Sequence, residues 1–297
     1  MLPSEIIERY RVTKGSAFKL AKVDPCDTCG IDIDKKDGKD LLETGVKRLA
    51  AMQERLYADN CWAILVILQG MDTSGKDGVI KHVMSGVNPL GCEVHSFKAP
   101  TEKEIDHDYL WRTSRALPER GRIGIFNRSY YEETIVVRVH LSLLQRQRLP
   151  RNLITDEIWS QRFEDIRNFE LYLFRNGVLP LKFFLHISKE EQRQRLLARI
   201  DDPDKRWKFQ PRDVEERKLW DNYMDAYEET IRNTATSHAP WFVVPADKKW
   251  FARLVVAATL VEKMGKLDLQ FPKVDEGGVE ELERIREALA AEIPPKP

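Results

Sequence analysis

A run of nine residues, Gly70–Gly78 (GMDTSGKDG), has the composition of a loop that binds phosphate. Gly70 and Gly75 carry no side chain, so backbone N–H groups there can approach an anion closely. Lys76 adds a mobile positive charge suited to a phosphoryl oxygen. The other residues that we expect to contact phosphate here are Ser74, Asp77 and Gly78. The alternative interpretation is an ordinary glycine-rich turn with a solvated lysine.

The sequence on either side of this loop favours phosphate binding. Trp62–Leu68 (WAILVIL) is an apolar run long enough for one buried strand, and Val79–Val87 has valines at helical spacing. A strand, a glycine loop, a lysine and a helix in this order form the context that a G-x-x-x-x-G-K match requires. A helix that starts at the loop would add unpaired N–H groups and a positive dipole end.

Two acidic residues in the loop predict a metal ion. Asp77 occupies the position after the lysine, where a Ser or Thr usually holds Mg²⁺, and Asp72 lies inside the loop. Two carboxylates would repel a phosphate chain unless a cation lay between them. We therefore expect Mg²⁺, or Mn²⁺ in its place, held partly by Asp72.

A second polar stretch, Asn127–Glu133 (NRSYYEE), follows a short apolar run, Arg122–Phe126. Ligands of open α/β sheets bind outside the carboxyl ends of the strands. This stretch is therefore predicted to face the same crevice as the glycine loop. The alternative is an ordinary helix cap formed by Ser129.

A third region, at about residues 193–215, is rich in basic side chains around an irregular stretch, Asp201–Arg212. Basic residues flanking a proline-containing hinge are typical of a lid that closes on phosphates and excludes water. The alternative is a solvated charged loop. The basic residues are Arg193, Arg195, Arg199, Lys205, Arg206, Lys208 and Arg212.

Strands that alternate with helices predict a single α/β domain over residues 1–297, with a parallel sheet covered on both faces. We expect about five strands, an N-terminal extension and helix over residues 1–60, and a peripheral tail over 272–297. The strands are predicted at Trp62–Leu68, Cys92–Phe97, Arg122–Phe126, Leu181–Ile187 and Trp241–Val244. The main helices are predicted at Lys39–Ala58, Thr101–Leu117, Ile158–Asn176, Lys189–Ile200, Asp213–Thr236 and Lys248–Met264.

Composition excludes several classes of protein. The 48 basic and 48 acidic residues cancel, so any anion site is local, and nucleic-acid binding is not expected. The apolar runs are too short to span a membrane and we find no signal peptide, so we expect a cytoplasmic protein. Cys26 and Cys29 lack a second pair to complete a zinc site, which favours free thiols. Cys61 and Cys92 are expected to be small core residues.

Several motifs in order resemble the polyphosphate kinase 2 family. They are GMDTSGKDG, SFKAP, DHDYLWR, GIFNRSYYEE, RWKFQPRD and APWFVVPADKKW, and the resemblance runs from about Leu41 to Phe271. It implies a three-layer fold similar to P-loop kinases, with a helical lid. It also implies reversible, Mg²⁺-dependent phosphoryl transfer between inorganic polyphosphate and a nucleotide, by a homo-oligomer such as a dimer or tetramer.

One departure from the family pattern concerns Asn127, where many relatives have Asp. The sequence Phe126–Ser129 (FNRS) resembles the branch called class III, which phosphorylates both AMP and ADP. The change removes one carboxylate from the expected metal site. Whether Asn127 contacts the metal directly, through water or not at all stays open, as does the use of guanine nucleotides.

The resemblance and the chemistry together assign roles to individual residues. Catalysis is assigned to four side chains, with Arg128 as a bidentate clamp on the acceptor or the transferred group. Those four are Asp72, Lys76, Asn127 and Arg128. The lid residues predicted to hold polyphosphate are Arg199, Lys205, Arg206 and Lys208. The residues predicted to bind the nucleotide are Lys98, Arg112, Glu132 and Glu133.

Two rival functions share much of this pattern. An ATP-dependent nucleoside monophosphate kinase would use the same loop, and a nucleotide-binding switch would bind without transfer to a second acceptor. Arg112 also has a simpler interpretation, as the partner of Asp108 in a surface ion pair four residues apart on a helix. An assay with polyphosphate as the only phosphoryl donor distinguishes the first rival from the activity of the family.

Overall fold

In the computed structural model, which describes residues 2, 4–31, 33 and 35–292, the strands form one six-stranded sheet in the order β1-β6-β5-β2-β4-β3. All neighbouring strands are parallel except β1, which runs antiparallel to β6. Their bounds are β1 (Arg11–Val12), β2 (Ala63–Gln69), β3 (Cys92–Ser96), β4 (Ile123–Asn127), β5 (Val178–His186) and β6 (Trp241–Pro245).

Helices cover both faces of the sheet and give the predicted three layers. One layer contains the second, third and twelfth helices, and the other contains the sixth, eighth and eleventh. The helices are α1 (Ser4–Arg9), α2 (Lys35–Asp59), α3 (Lys76–Val83), α4 (Glu102–Ile105), α5 (Trp111–Ser114), α6 (Val136–Val139), α7 (Leu141–Gln145), α8 (Ile158–Arg175), α9 (Lys189–Asp201), α10 (Pro211–Lys218), α11 (Trp220–Thr234), α12 (Lys249–Gly265) and α13 (Glu276–Ala290).

The central strand β2 is buried along its whole length because helices cover both of its faces. Such a strand is apolar on both faces rather than at alternate positions, and here only the last residue, Gln69, is polar. This is why the sequence WAILVIL indicated a buried strand, and the strand order shows that it is central. In the described part of the chain no helix is long and apolar enough to cross a membrane.

The sheet differs from the prediction by one strand. We predicted about five parallel strands, and the two-residue strand β1 adds an antiparallel edge to β6. Two residues are too short for a hydrophobic period to appear. The pairing is set by the partner, since Val243 N–H also donates to Tyr10 O at 2.9 Å.

Two predicted helices are interrupted. The helix predicted over Thr101–Leu117 begins as expected with a capping box between Thr101 and Glu104, but forms two short helices, α4 and α5. Between them Asp108 Oδ1 accepts the N–H of Leu110 at 2.9 Å, which supplies an alternative to helical bonding. The helix predicted over Asp213–Thr236 is divided at Leu219 into α10 and α11.

Two predictions of burial were wrong. In the sequence of α8, Phe163, Phe169 and Tyr172 recur at helical spacing, which predicts an aromatic stripe in the core. Tyr172 is nevertheless 62% exposed, whereas Phe163 is buried. Cys61 is exposed rather than a core residue, because it lies just before the start of β2. Cys92 is half-buried, and burial raises the pKa of its thiol to about 11.

Candidate active site

The glycine loop connects β2 to α3, and its two predicted glycines occupy positions that other residues would strain. Gly75 caps α3 with φ of 106°, in the left-handed region. A Cβ on Gly70 would lie 2.7 Å from Ser74 Oγ and 2.9 Å from Leu185 O. The helix begins at Lys76, three residues earlier than the valine pattern alone indicated. The loop thus presents the N-terminus of α3 to the crevice, as anion binding requires.

Lys76 reaches back across this loop. Its Nζ donates to the carbonyl oxygens of Gly70 at 2.7 Å and Met71 at 3.2 Å. The side chain is buried, and burial lowers its pKa to about 8, with the nearby charge of Arg128 as the next contribution. The hydrogen-bond partners of the ammonium are neutral oxygens, so its charge is suited to an incoming anion.

Arg128 joins the second polar stretch to the glycine loop. Its Nη2 lies 2.6 Å from Asp72 Oδ1, and its Nη1 lies 3.1 Å from Glu132 Oε2. The two carboxylates, with Glu132 contributing most, raise the pKa of the guanidinium above its ordinary value. Arg128 also has φ of 65°, in the left-handed region that non-glycine residues seldom adopt. The contact exists because β4 pairs directly with β2.

Asn127 and Ser129 also contact neighbouring parts of the site. Asn127 Nδ2 donates to Asp77 Oδ1 at 2.9 Å, so the amide holds the acid that follows the lysine. Ser129 Oγ accepts the N–H of Tyr131 at 3.1 Å, which makes it the cap of the short turn Tyr130–Glu133. Ser129 is therefore a cap, as the alternative interpretation expected, and the stretch also contacts the glycine loop across the crevice.

A single cavity of about 1360 Å³ brings these residues together. Every residue that we predicted for the site lines this cavity, except Arg206. Arg206 instead donates from Nε to Ile200 O at 2.8 Å and is exposed. Its placement as a polyphosphate contact is not supported by this geometry.

The three other residues predicted to hold polyphosphate line the cavity, and each of them contacts a nearby side chain. Arg199 lies 3.6 Å from Asp213, and Lys205 is paired with Asp202. The Nζ of Lys208 lies 5.1 Å from the centre of the Trp207 ring.

Arg112 does not form the surface ion pair that was its alternative interpretation. Its Nη1 donates to Lys98 O at 2.7 Å, and its guanidinium lies 5.5 Å from the centre of the Phe97 ring. Asp108 is engaged with the N–H of Leu110 instead. Arg112 and Lys98 therefore lie together on the cavity wall.

Arg195 has a structural position that sequence reasoning missed. We grouped it with the basic lid, but it is buried on α9 against the glycine loop. Its Nη1 donates to the carbonyls of Thr73 at 2.9 Å and Ser74 at 3.1 Å. Its Nη2 donates to Ala246 O at 2.6 Å and Asp247 O at 2.9 Å. With Nε bonded to Glu191 at 2.6 Å, all of its donor groups are used.

Tyr109 and Arg162 were also missed as cavity residues. Arg162 projects from α8, its side chain is 5% exposed, and its guanidinium carbon lies 4.3 Å from the centre of the Tyr109 ring. Its partners are Gln147 Oε1 at 2.8 Å and, more distantly, Glu133 Oε2 at 3.6 Å. The apolar spacing of α8 predicted a core helix and gave no signal for a buried charge.

Comparison with known proteins identifies relatives over most of the chain. The sequence model of the family described as polyphosphate kinase 2 (PPK2) matches residues 32–272. The protein named ADP-polyphosphate phosphotransferase from Rhodopseudomonas palustris is 48% identical over 287 residues, which cover 95% of this chain and 98% of that protein. The AMP/ADP-polyphosphate phosphotransferase of Meiothermus ruber is 46% identical over 267 residues, covering 90% and 96% respectively.

The fold also resembles that of a solved structure. The crystal structure of polyphosphate kinase 2 from Arthrobacter aurescens TC1 superposes with a TM-score of 0.85 at 42% identity. The match covers 94% of this chain and 96% of that one.

Proposed function

The chain belongs to the polyphosphate kinase 2 family, and on that premise we propose that it transfers phosphoryl groups reversibly between inorganic polyphosphate and AMP or ADP. The observation that carries this proposal is the contact of Arg128 with Asp72, 2.6 Å apart. It joins two loops from neighbouring strands beside Lys76, inside one cavity. An in-line transfer between two phosphate-bearing substrates needs this kind of convergence.

The chain's own residues supply positioning and charge. The acceptor is a nucleotide phosphate oxygen, which is already anionic, so no strong general base is needed. The glycine-loop amides and Lys76 would hold the donor phosphates, and Arg128 would bridge donor and acceptor where charge accumulates. For this Arg128 must release part of its contact with Asp72 or Glu132 and turn to the phosphoryl oxygens.

Mg²⁺ fits the donor groups at the glycine loop. In the described part of the chain no three or more His, Cys, Asp or Glu side chains cluster as a ready-made metal site. Mg²⁺ commonly binds through one or two carboxylates together with substrate phosphates and water, so such a cluster is not needed. Arg128 uses Oδ1 of Asp72, which leaves Oδ2 as the expected ligand. When bound, the ion would neutralise phosphate charge.

The segment 202–210 is exposed or half-exposed throughout and carries two of the cations that line the cavity, Lys205 and Lys208. We propose that it closes over the polyphosphate chain together with Arg199 and excludes water, the competing acceptor. Closure would exchange the local partners of these cations for phosphate oxygens.

The decisive experiment uses polyphosphate as the only phosphoryl donor. Purified protein with Mg²⁺ is incubated separately with AMP, ADP, GMP and GDP, and the nucleotide products are separated and quantified. We expect the wild-type protein to form ADP from AMP and ATP from ADP. We expect Lys76→Met to form no nucleotide product. Product that forms only when ATP replaces polyphosphate would support the monophosphate kinase instead.

The same assay decides whether guanine nucleotides are substrates. A homo-oligomer, dimer or tetramer, and a cytoplasmic location stay predictions. The preferred direction is measured by comparing the rate of ATP formation from polyphosphate and ADP with the rate of ADP formation from ATP and a polyphosphate acceptor.

A further inference from the structure

A cluster of polar side chains lies in the cavity next to the phosphate-binding residues. Glu133 accepts from Gln147 Nε2 at 2.7 Å and lies 3.6 Å from Arg162 Nη1. Arg162 in turn stacks on the ring of Tyr109. Glu133, Arg162, Tyr109 and Gln147 all line the cavity.

The hydrogen bonding of this cluster is incomplete. Among the described residues Tyr109 Oη and Arg162 Nε are buried atoms without a hydrogen-bond partner. Burial raises the pKa of the Glu133 carboxyl more than the charge of Arg162 lowers it. Buried polar groups without partners are costly, so two such atoms beside the Glu133 carboxyl in one cavity indicate a site completed by a ligand.

The position of the cluster along the cavity indicates which part of a ligand it meets. On one side, contacts run from Glu132 through Arg128 to Asp72 and the phosphate loop. Next to Arg162 on α8, Ile158 lies one turn earlier, and together with Val137 it lines the cavity and belongs to a separate small apolar cluster. A nucleotide has the same order of chemistry: anionic phosphates, a sugar with hydroxyl groups, then a largely apolar base.

We propose that Glu133, Arg162 and Tyr109 bind the ribose of the acceptor nucleotide. A sugar hydroxyl both donates and accepts, so it can donate to the Glu133 carboxylate and accept from Arg162 or Tyr109. Polyphosphate has only acceptor oxygens and offers nothing to Glu133. Because Tyr109 Oη and Arg162 Nε are covered, the stacked pair has to part slightly as the sugar enters. The assignment rests on the proposed function, whose acceptor is a nucleotide.

The test compares ADP with 2′-deoxy-ADP and 3′-deoxy-ADP, with polyphosphate as donor. A buried site that pairs with a hydroxyl rejects the analogue without it, and we expect kcat/KM to fall about 10- to 100-fold for at least one deoxy analogue. In Glu133→Gln and Tyr109→Phe the difference between ADP and that analogue shrinks to less than about threefold. The matched control is the neighbouring Glu132→Gln, which loosens Arg128 and slows all three acceptors while keeping their ratio.

The outcomes separate this inference from the function on which it rests. Equal use of ADP and both deoxy analogues by the wild type, or an unchanged ratio in both variants, overturns the ribose site. A variant that changes the ratio of ADP to GDP but not of ADP to its deoxy analogues shows base recognition and also overturns it. If Glu133→Gln does not fold, Tyr109→Phe alone decides.

Wild-type protein that transfers nothing from polyphosphate to any nucleotide would overturn the proposed function instead. Calorimetric binding of ADP and its deoxy analogues to that protein then decides the ribose site: weaker binding of a deoxy analogue supports it, and equal binding overturns it.

Discussion

The glycine loop and the lid segment 202–210 are both expected to bind phosphate, yet they are held in opposite ways. The loop is fixed by buried contacts, from Lys76 to its own carbonyls and from Arg195 to two more. The lid cations Lys205 and Lys208 are exposed and paired with residues of their own segment. Exposed ion pairs contribute little, so a phosphate chain can replace them easily. We therefore expect the glycine loop to be organised before substrate arrives, and the lid segment to become ordered around the substrate.

The largest effect is expected from the fixed region. Lys76→Met or Arg128→Met removes a charge that acts on the transferring group, and kcat should fall about 10³-fold or more. Steady-state rates with polyphosphate and ADP measure this. Lys47→Met, an exposed lysine paired with Glu43 on α2, is the control and should keep the wild-type rate. A fall of less than tenfold in the Lys76 and Arg128 variants would contradict preorganised catalysis at this loop.

A smaller effect should follow when the support of the loop is removed. Arg195→Gln leaves the carbonyls of Thr73 and Ser74 without donors, and a displaced loop should lower kcat/KM about 100-fold. The thermal midpoint should fall as well, since buried carbonyls lose partners. Arg193→Gln, two residues away on α9 and exposed, is the matched control. If the two variants behave alike, Arg195 does not position the loop.

The lid should affect binding of polyphosphate more than the chemical step. Lys205→Ala combined with Lys208→Ala should raise the KM for polyphosphate about tenfold, and the logarithmic salt slope should fall by about 0.7 for each lysine removed. KM measured between low and high salt gives both values. Lys218→Ala combined with Lys47→Ala removes two exposed lysines elsewhere and should change neither. An unchanged salt slope in the lid variant would show that these lysines do not contact the chain.

The smallest expected effect concerns pH. The pKa of Lys76 is lowered to about 8 by burial, so the free protein loses this proton as pH rises through 8. Bound phosphates would raise the pKa, and binding above pH 8 should therefore take up as much as one proton. Affinity for polyphosphate should fall with rising pH, by less than about tenfold per pH unit.

Calorimetry in buffers of different ionisation enthalpy measures this proton uptake. Lys76→Arg should abolish it, because a guanidinium keeps its proton over this range. The lid variant Lys205→Ala with Lys208→Ala should retain it. Loss of proton uptake in the lid variant would show that the titrating group lies in the lid segment and not at Lys76, which would contradict this prediction.

The main elements of the fold were predictable because their signals are local. The apolar run Trp62–Leu68 and the glycine loop that follows it predicted a buried strand of a parallel sheet and its ligand-binding end, and both are found at β2. The pairing of β4 with β2 then explains why Asn127–Glu133 faces the glycine loop, as predicted. The motifs predicted the family and, through it, the reaction. The match of the family model over residues 32–272 confirms the family.

What the sequence could not supply depends on contacts between distant positions. Arg195 was read as a lid cation because its neighbours in sequence are basic, whereas its hydrogen bonds go to residues about 120 and 50 positions away. Tyr172 shares its helical stripe with the buried Phe163 and is nevertheless exposed, since spacing predicts a face of the helix but not what covers that face.

The sequence by itself determined the chemistry of the glycine loop, because glycine, lysine and acidic residues at fixed spacing act within one short loop. Only the tertiary structure decided which side chains lie in the cavity next to the residues predicted to bind phosphate. The incomplete cluster of Glu133, Arg162 and Tyr109 is assembled from three separate segments of the chain. A buried charge acquires its partners through packing, which no local pattern of residues records.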